Sequence, residues 1–114
     1  MRIVARFAML AAVLLAVSPA FAQSYPSRPI TILIGISPGG ITAVTTRIYA
    51  EAVSKSLGQR LVIENRTGAG GNIGTEAVVN AAADGYTLLL ATVPNAVNAS
   101  LYEKLNFNFV RDIA

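Results

Sequence analysis

The sequence contains no cysteine, no histidine and no tryptophan among its 114 residues. Without cysteine the chain has no thiol nucleophile, no disulfide and no site for a lipoprotein anchor. Without histidine it lacks the commonest general base and metal ligand. Only six carboxylates are present, and no two of them share a short metal-binding motif. The composition therefore points away from an enzyme, and we expect no metal and no cofactor.

A strong excess of one charge is also missing from the mature part of the chain. The formal net charge is +3, but without Arg2 and Arg6 of the N-terminal segment seven basic residues face six acidic ones. The remaining basic residues are spread along the chain and form no stripe. We therefore expect no nucleic-acid partner.

Residues 1–22 have the features of a secretory signal peptide. The two arginines precede an apolar run at residues 7–17, and the segment closes with Ala20-Phe21-Ala22, the small-x-small pattern of a cleavage site. The run is shorter than the roughly 20 residues that span a bilayer, so a membrane anchor is the less favoured alternative. We predict cleavage after Ala22, export to the periplasm and a mature portion at residues 23–114.

The mature portion reads as strand, loop and helix three times in succession. The predicted strands are ITILIGI (30–36), RLVIEN (60–65) and YTLLLATV (86–93). The predicted helices are ITAVTTRIYAEAVSKSL (41–57), IGTEAVVNAAA (73–83) and, after a loop at PNAVN (94–98), ASLYEKL (99–105). This alternation with short connections is typical of βαβ units, so the predicted fold class is α/β with a parallel sheet.

The first predicted helix has the clearest periodicity. Apolar residues recur near helical spacing from Val44 to Leu57, and charged residues at i, i+4 steps line another face. Gly58 suits the C-terminal stop.

Three loops are predicted at the carboxyl ends of the strands, where open parallel sheets bind their ligands. They are SPGGIT (37–42), TGAGGN (67–72) and TVPNAVN (92–98). The first two combine glycines with a helix start, where free backbone N–H groups attract anions. The residues leave open a second interpretation, in which the glycines only allow tight turns to close.

The second loop is close to a dinucleotide fingerprint but does not match it. Gly68, Gly70 and Gly74 make G-x-G-x-x-x-G, with the third glycine one position late. The loop follows the second strand rather than the first, and the next strand carries no acid for ribose hydroxyls. No Lys-Ser/Thr pair follows the glycines, which also excludes a P-loop. A nucleotide-binding Rossmann-like enzyme fragment is therefore the least favoured alternative.

Four segments in this order and spacing closely resemble one family. They are YPSRPITILIGISPGGIT, LGQRLVIENRTGAGGNIGTEAV, AAADGYTLLLAT and NASLYEKLNFN. They resemble the N-terminal part of the substrate-binding proteins of tripartite tricarboxylate transporters, the Bug family of periplasmic receptors. The resemblance implies a parallel-sheet lobe of a type II periplasmic-binding-protein fold, truncated before the second domain, with residues 23–114 as an incomplete first domain.

The resemblance also implies a function without catalysis. Receptors of this family bind a small organic carboxylate and deliver it to membrane permease subunits, and we expect the complete receptor to be monomeric. The carboxylate is held by backbone N–H groups of the first two loops. The implied ligand-binding residues are Ser37, Pro38, Gly39, Gly40 and Thr42 in the first loop, Ala69, Gly70, Gly71 and Asn72 in the second, and Thr92 in the third.

Two points stay open at the level of sequence. Thr42 and Asn72 are equally suited to helix N-capping. The family usually has an aspartate where this chain has Ala43, and prolines where it has Thr67 and Ala99. Together with the missing second domain, the lost aspartate leaves an inert truncated remnant of such a receptor as the alternative function.

Overall fold

The computed structural model describes residues 24–113, which form a three-stranded parallel sheet with three helices. The strands are β1 (Ile30–Ile34), β2 (Leu61–Asn65) and β3 (Thr87–Leu90). The helices are α1 (Ile41–Leu57), α2 (Asn72–Val79) and α3 (Val93–Leu101), and a 3₁₀ turn at Ala69–Gly71 precedes α2. The predicted signal peptide and its cleavage after Ala22 lie outside the described residues. The predicted α/β class is confirmed.

The strand β1 lies at the centre of the sheet, in the order β2-β1-β3 with both pairs parallel. Leu33 of β1 pairs with Glu64 on one side and with Leu89 on the other. Ile30, Leu33 and Ile34 are all buried. A continuous apolar run is what a strand covered on both faces requires.

The helices connect the strands and cover the sheet. α1 packs against β2, whereas α2 packs against β3 and β1. With β1 in the middle, right-handed crossovers place these two helices on opposite faces of the sheet. The predicted stop of α1 is confirmed, because Gly58 adopts φ 67° at the C-cap. None of the helices within residues 24–113 is long and apolar enough to cross a membrane.

Several predicted boundaries are wrong. The strand predicted at 86–93 ends at Leu90, and the helix predicted at 99–105 ends at Leu101. The loop predicted at residues 94–98 is helical, because α3 begins at Val93 and continues to Leu101. Pro94 stands in the first turn, where its missing N–H would have no partner anyway. Thr92 and Asn95 form a reciprocal capping box that starts the helix. The helix predicted at 73–83 instead ends at Val79.

The segment before β1 is tied to the turn before β3. Arg28 forms a 2.8 Å ion pair with Asp84 and lies 4.0 Å from the centre of the Tyr86 ring. The Tyr25 hydroxyl donates a 2.6 Å hydrogen bond to the Gly85 carbonyl. These contacts fix the start of the described chain to the sheet.

Three glycines meet where β1 ends, and we call them the glycine junction: Gly35, Gly71 and Gly74. A Cβ atom on Gly35 would lie 2.7 Å from the Gly71 Cα and 2.9 Å from the Gly71 carbonyl oxygen. A Cβ atom on Gly74 would lie 3.0 Å from the Arg66 carbonyl oxygen and 3.3 Å from the Gly35 Cα. These neighbours are all backbone atoms, so no side chain can move aside to make room. The junction therefore brings the start of α2 directly against the end of β1.

We expect Gly35→Ala to lower the free energy of unfolding by about 1–3 kcal/mol, the usual cost of overpacking, because the added Cβ meets the Gly71 backbone. Gly39→Ala is the matched control, since nothing lies within 4 Å of a Cβ at that position. The control should change the free energy of unfolding by less than about 0.5 kcal/mol. Urea denaturation measures both variants, and equal stabilities would contradict the close backbone packing at Gly35.

Candidate functional site

A shallow depression of about 300 Å³ lies at the carboxyl edge of the sheet. It brings together residues that follow β1, residues that follow β2 and the start of α3. The lining residues are Gly35, Ile36, Ser37, Thr67, Gly68, Gly70, Gly71 and Pro94. None of these carries a charged side chain, so the lining offers backbone groups, two hydroxyls and apolar surface.

A larger depression, of about 430 Å³, lies between α1 and β2 and is lined in part by Arg47, Glu51 and Arg60. It contains none of the predicted site residues and lies away from the glycine junction. Size alone therefore does not locate the candidate site, and the depression at the carboxyl edge is the one that the topology favours.

The structure brings only some of the predicted site residues to the depression. Ser37, Gly70 and Gly71 line it. The others lie outside its lining, and they are Pro38, Gly39, Gly40, Thr42, Ala69, Asn72 and Thr92. Sequence reasoning missed five lining residues. Pro94, Thr67 and Gly68 lay within predicted loops, whereas Gly35 and Ile36 were signalled only by their place at the end of a buried strand.

The first loop leads into a helix start without a side-chain cap. The N-cap of α1 is Gly40, with φ −73° and ψ 157°, and no side chain caps the N–H groups of the first turn. The N–H groups of Ile41, Thr42 and Ala43 therefore have no intrahelical partner. The first turn also contains no acidic residue, so nothing offsets the partial positive charge of the helix start.

Arg47 and Asn65 hold the first loop from the side of α1 and β2. Arg47 donates 3.2 Å hydrogen bonds to the Pro38 carbonyl and to Asn65 Oδ1. Asn65 Nδ2 donates a 3.0 Å hydrogen bond to the Ile36 carbonyl. The loop is thus fixed by its carbonyl oxygens, which leaves its N–H groups uncommitted to these side chains.

The second loop turns through four consecutive residues with positive φ. The angles are 125° at Gly68, 47° at Ala69, 65° at Gly70 and 95° at Gly71. Glycine adopts such angles freely, whereas alanine in the left-handed region costs about 1–2 kcal/mol. The Gly71 N–H donates a 2.9 Å hydrogen bond to the Gly68 carbonyl. The N–H groups of Ala69 and Gly70 donate no hydrogen bond to residues 24–113.

Two buried asparagines of α3 donate hydrogen bonds to the second loop and to α2. Asn98 Nδ2 donates to the Gly70 carbonyl at 2.8 Å and to Asn72 Oδ1 at 2.9 Å. Asn95 Nδ2 donates to the Thr75 hydroxyl at 2.8 Å. Within the described part of the chain, no buried side-chain nitrogen or oxygen lacks a hydrogen-bond partner. The polar cluster is therefore satisfied internally.

The capping interpretation is wrong for Thr42 and Asn72. The N-cap residues of α1 and α2 are Gly40 and Gly71, and neither helix has a side-chain cap. Asn72 instead accepts a hydrogen bond from α3. The residue that does cap a helix is Thr92, through the box at the start of α3.

The chemistry available at the depression is hydrogen-bond donation. No group of three or more metal-binding side chains comes together in the part of the chain that the structure describes. The carboxyl whose pKa is shifted lies outside the lining: the hydrogen bond from Arg111 lowers the pKa of the partly buried Asp112 carboxyl. The lining residues include no general base, so the arrangement suits the binding of an anion better than a reaction on it.

Comparison with known proteins agrees with the sequence resemblance. Residues 45–114 match the tripartite tricarboxylate transporter family receptor. Over 98 residues the chain is 45% identical to protein BugT of Bordetella pertussis, covering 84% of this chain and 30% of BugT. The chain thus spans less than a third of the length of this relative.

Two solved structures with bound acids are similar to the described fold. MatC from Rhodopseudomonas palustris, with bound malate, is 32% identical with a TM-score of 0.71, over 77% of this chain and 30% of MatC. The R. palustris protein Rpa4515, with adipate, is 37% identical with a TM-score of 0.57, over 59% of this chain and 22% of that protein. The chain belongs to the family of tripartite tricarboxylate transporter receptors.

Proposed function

We propose that this chain forms part of the first domain of a periplasmic receptor that captures a small organic carboxylate for a tripartite tricarboxylate-type transporter. The observation that carries the proposal is the depression at the carboxyl edge of the sheet, where two glycine-rich loops meet and leave N–H groups without partners among the described residues 24–113. Membrane permease subunits are the proposed partners, and residues 23–114 the proposed share of the domain. The family assignment supports a binding role and no catalysis.

A carboxylate fits this depression chemically. It accepts several hydrogen bonds, and bonds to a charged acceptor are shorter and stronger than neutral ones. The N–H of Gly70 lies in the lining, and we propose that a bound carboxylate extends beyond the lining to the N–H of Ala69 and to the uncapped start of α1. No charged side chain lines the depression, so affinity comes from oriented dipoles and the ligand can still be released to a permease.

We assign the predicted residues to two sides of this carboxylate site. Ser37, Pro38, Gly39, Gly40 and Thr42 form the α1 side, and Ala69, Gly70, Gly71 and Asn72 form the α2 side. Thr92 acts indirectly, because its capping box sets the start of α3 and so the place of Pro94 in the lining. Bound malate and adipate in the similar structures support small dicarboxylates as the first ligands to test.

We expect the full-length mature protein to bind malate or adipate and to give no response to NAD. Bound ligand stabilises the folded state by about 2.7 kcal/mol at a concentration of 100 times the dissociation constant, so the melting temperature should rise with either acid. Isothermal titration calorimetry and thermal-shift measurement with malate, adipate, citrate, benzoate and NAD test this. A response to NAD with no response to any of the four acids would overturn the proposal. No response to any of the five compounds would favour the alternative of an inert remnant.

We expect Gly40→Asp to weaken carboxylate binding by at least about tenfold, which corresponds to about 1.4 kcal/mol. The new carboxylate would cap α1 and repel an anionic ligand. The fold has room for the added side chain, because a Cβ on Gly40 would lie 3.6 Å from the Ser37 carbonyl oxygen. The free energy of unfolding should stay constant or rise by up to about 1 kcal/mol, since an acid at a helix start is favourable.

Gly40→Asn is the matched control for charge, because it can cap α1 without adding a negative charge. Its loss of affinity should be smaller than that of Gly40→Asp, and its stability should be similar. Calorimetric titration with malate and adipate measures affinity, and urea denaturation measures stability. Unchanged affinity in Gly40→Asp would show that the start of α1 takes no part in binding.

A further inference from the structure

We propose that Asn98 is a positioning residue of the carboxylate site, which holds the peptide unit between Gly70 and Gly71 so that the Gly70 carbonyl oxygen is directed at α3. The expected effect of Asn98 on ligand affinity rests on the proposed function, whereas its expected effect on the second loop does not. Affinity and exchange in the loop can be measured separately.

Asn98 is placed to act on the second loop and on the start of α2. The residue is 5% exposed. The two N–H bonds of its carboxamide are both used, one on the Gly70 carbonyl at 2.8 Å and one on Asn72 Oδ1 at 2.9 Å. Asn98 does not line the depression, so it acts on a ligand only through the loop that it holds.

The peptide unit between Gly70 and Gly71 is held at both ends. Its carbonyl accepts from Asn98, and its N–H donates to the Gly68 carbonyl at 2.9 Å. A trans peptide is planar and has its C=O and N–H on opposite sides. Fixing the direction of the carbonyl therefore also fixes the direction of the N–H.

Such a restraint is needed because the peptide unit lies between two glycines. Glycine populates positive and negative φ about equally, so the dihedral angles on either side resist rotation of this unit weakly. A half turn would exchange the directions of the C=O and the N–H. The Gly71 N–H is directed at the Gly68 carbonyl, so the turned carbonyl oxygen would face that carbonyl and break the turn from Gly68 to Gly71. Since Gly68, Gly70 and Gly71 line the depression, this would displace the lining and the free Gly70 N–H from a bound carboxylate.

The same side chain also fixes the start of α2. Asn72 is the first residue of α2, it is 8% exposed, and its Oδ1 accepts the second N–H of Asn98. One asparagine thus joins the 3₁₀ turn, the start of α2 and the body of α3. Replacing it should loosen the second loop locally while the strands of the sheet keep their pairing.

Asn98→Ala tests the proposal in the full-length mature protein. Hydrogen exchange measured by NMR should show the Gly71 amide exchanging at least about tenfold faster, relative to the amides of β1, because a local opening exposes it. Calorimetric titration with malate and adipate should show affinity weakened by at least about tenfold. If the alanine variant folds poorly, Asn98→Ser provides the same comparison. It leaves a smaller cavity, and its hydroxyl is too short to reach both the Gly70 carbonyl and Asn72 Oδ1.

Ser54→Ala is the matched control for a general loss of stability. The Ser54 hydroxyl donates to the Ala50 carbonyl at 2.6 Å and accepts from the Leu61 N–H at 2.8 Å, at the start of β2 and so at the opposite edge of the sheet from the depression. Loss of this hydroxyl should lower the stability of the whole fold, so the Gly71 amide should exchange faster only in proportion to the amides of β1. Ligand affinity should stay unchanged.

Either of two results would overturn the proposal. One is an exchange rate of the Gly71 amide in Asn98→Ala that changes only in proportion to the rates of the β1 amides, as expected for Ser54→Ala. The other is faster Gly71 exchange with undiminished affinity for an acid that the unmodified protein binds. If the unmodified protein binds neither malate nor adipate, the proposed function fails, and the exchange comparison by itself decides whether Asn98 holds the peptide.

Discussion

The backbone contact between Gly35 and Gly71 is the constraint on which the carboxyl edge of the sheet depends. A Cβ on Gly35 would lie 2.7 Å from the Gly71 Cα, so the second loop can rest on the end of β1 only if position 35 lacks a side chain, whereas glycine at position 71 is favoured by its φ of 95°. Because β1 is the central strand, this contact brings the loops after β1 and β2 into one depression. Of the glycines that resemble a nucleotide fingerprint, Gly74 serves this backbone packing, whereas Gly68 and Gly70 are required by their positive φ angles of 125° and 65°.

The fold could be predicted because alternating strands and helices leave a strong pattern, but the pattern did not reveal which helix face is buried. Val44 and Ile48 supplied part of the apolar periodicity of α1, yet they are 48% and 65% exposed. The buried residues of α1 are Ala43 and Ala50. Periodicity establishes that a helix forms, whereas the approach of that helix to the sheet depends on small residues that a hydrophobicity pattern weighs little.

The start of α3 and the polar cluster behind the site could not be predicted from local sequence. Proline and asparagine are the residues of turns, so residues 94–98 indicated a loop. In the fold Pro94 suits a first helical turn, and Asn95 and Asn98 are buried by partners on the second loop and α2. Asn98 and Gly70 lie 28 positions apart in the chain, and no local signal connects residues at that distance. The glycines of the second loop were predicted, but the side chain that holds them was not.

The alanine at position 43 changes the charge of the site more than its shape. Ala43 is fully buried and does not line the depression, so the aspartate that the family usually has there would not extend the lining. It would, however, place a negative charge in the first turn of α1, where this chain has no acidic residue. Such a charge offsets the helix dipole and competes with an anionic ligand for the free N–H groups. Its absence leaves the start of α1 more favourable to a carboxylate, so this departure is compatible with the proposed site and is no sign by itself of lost function.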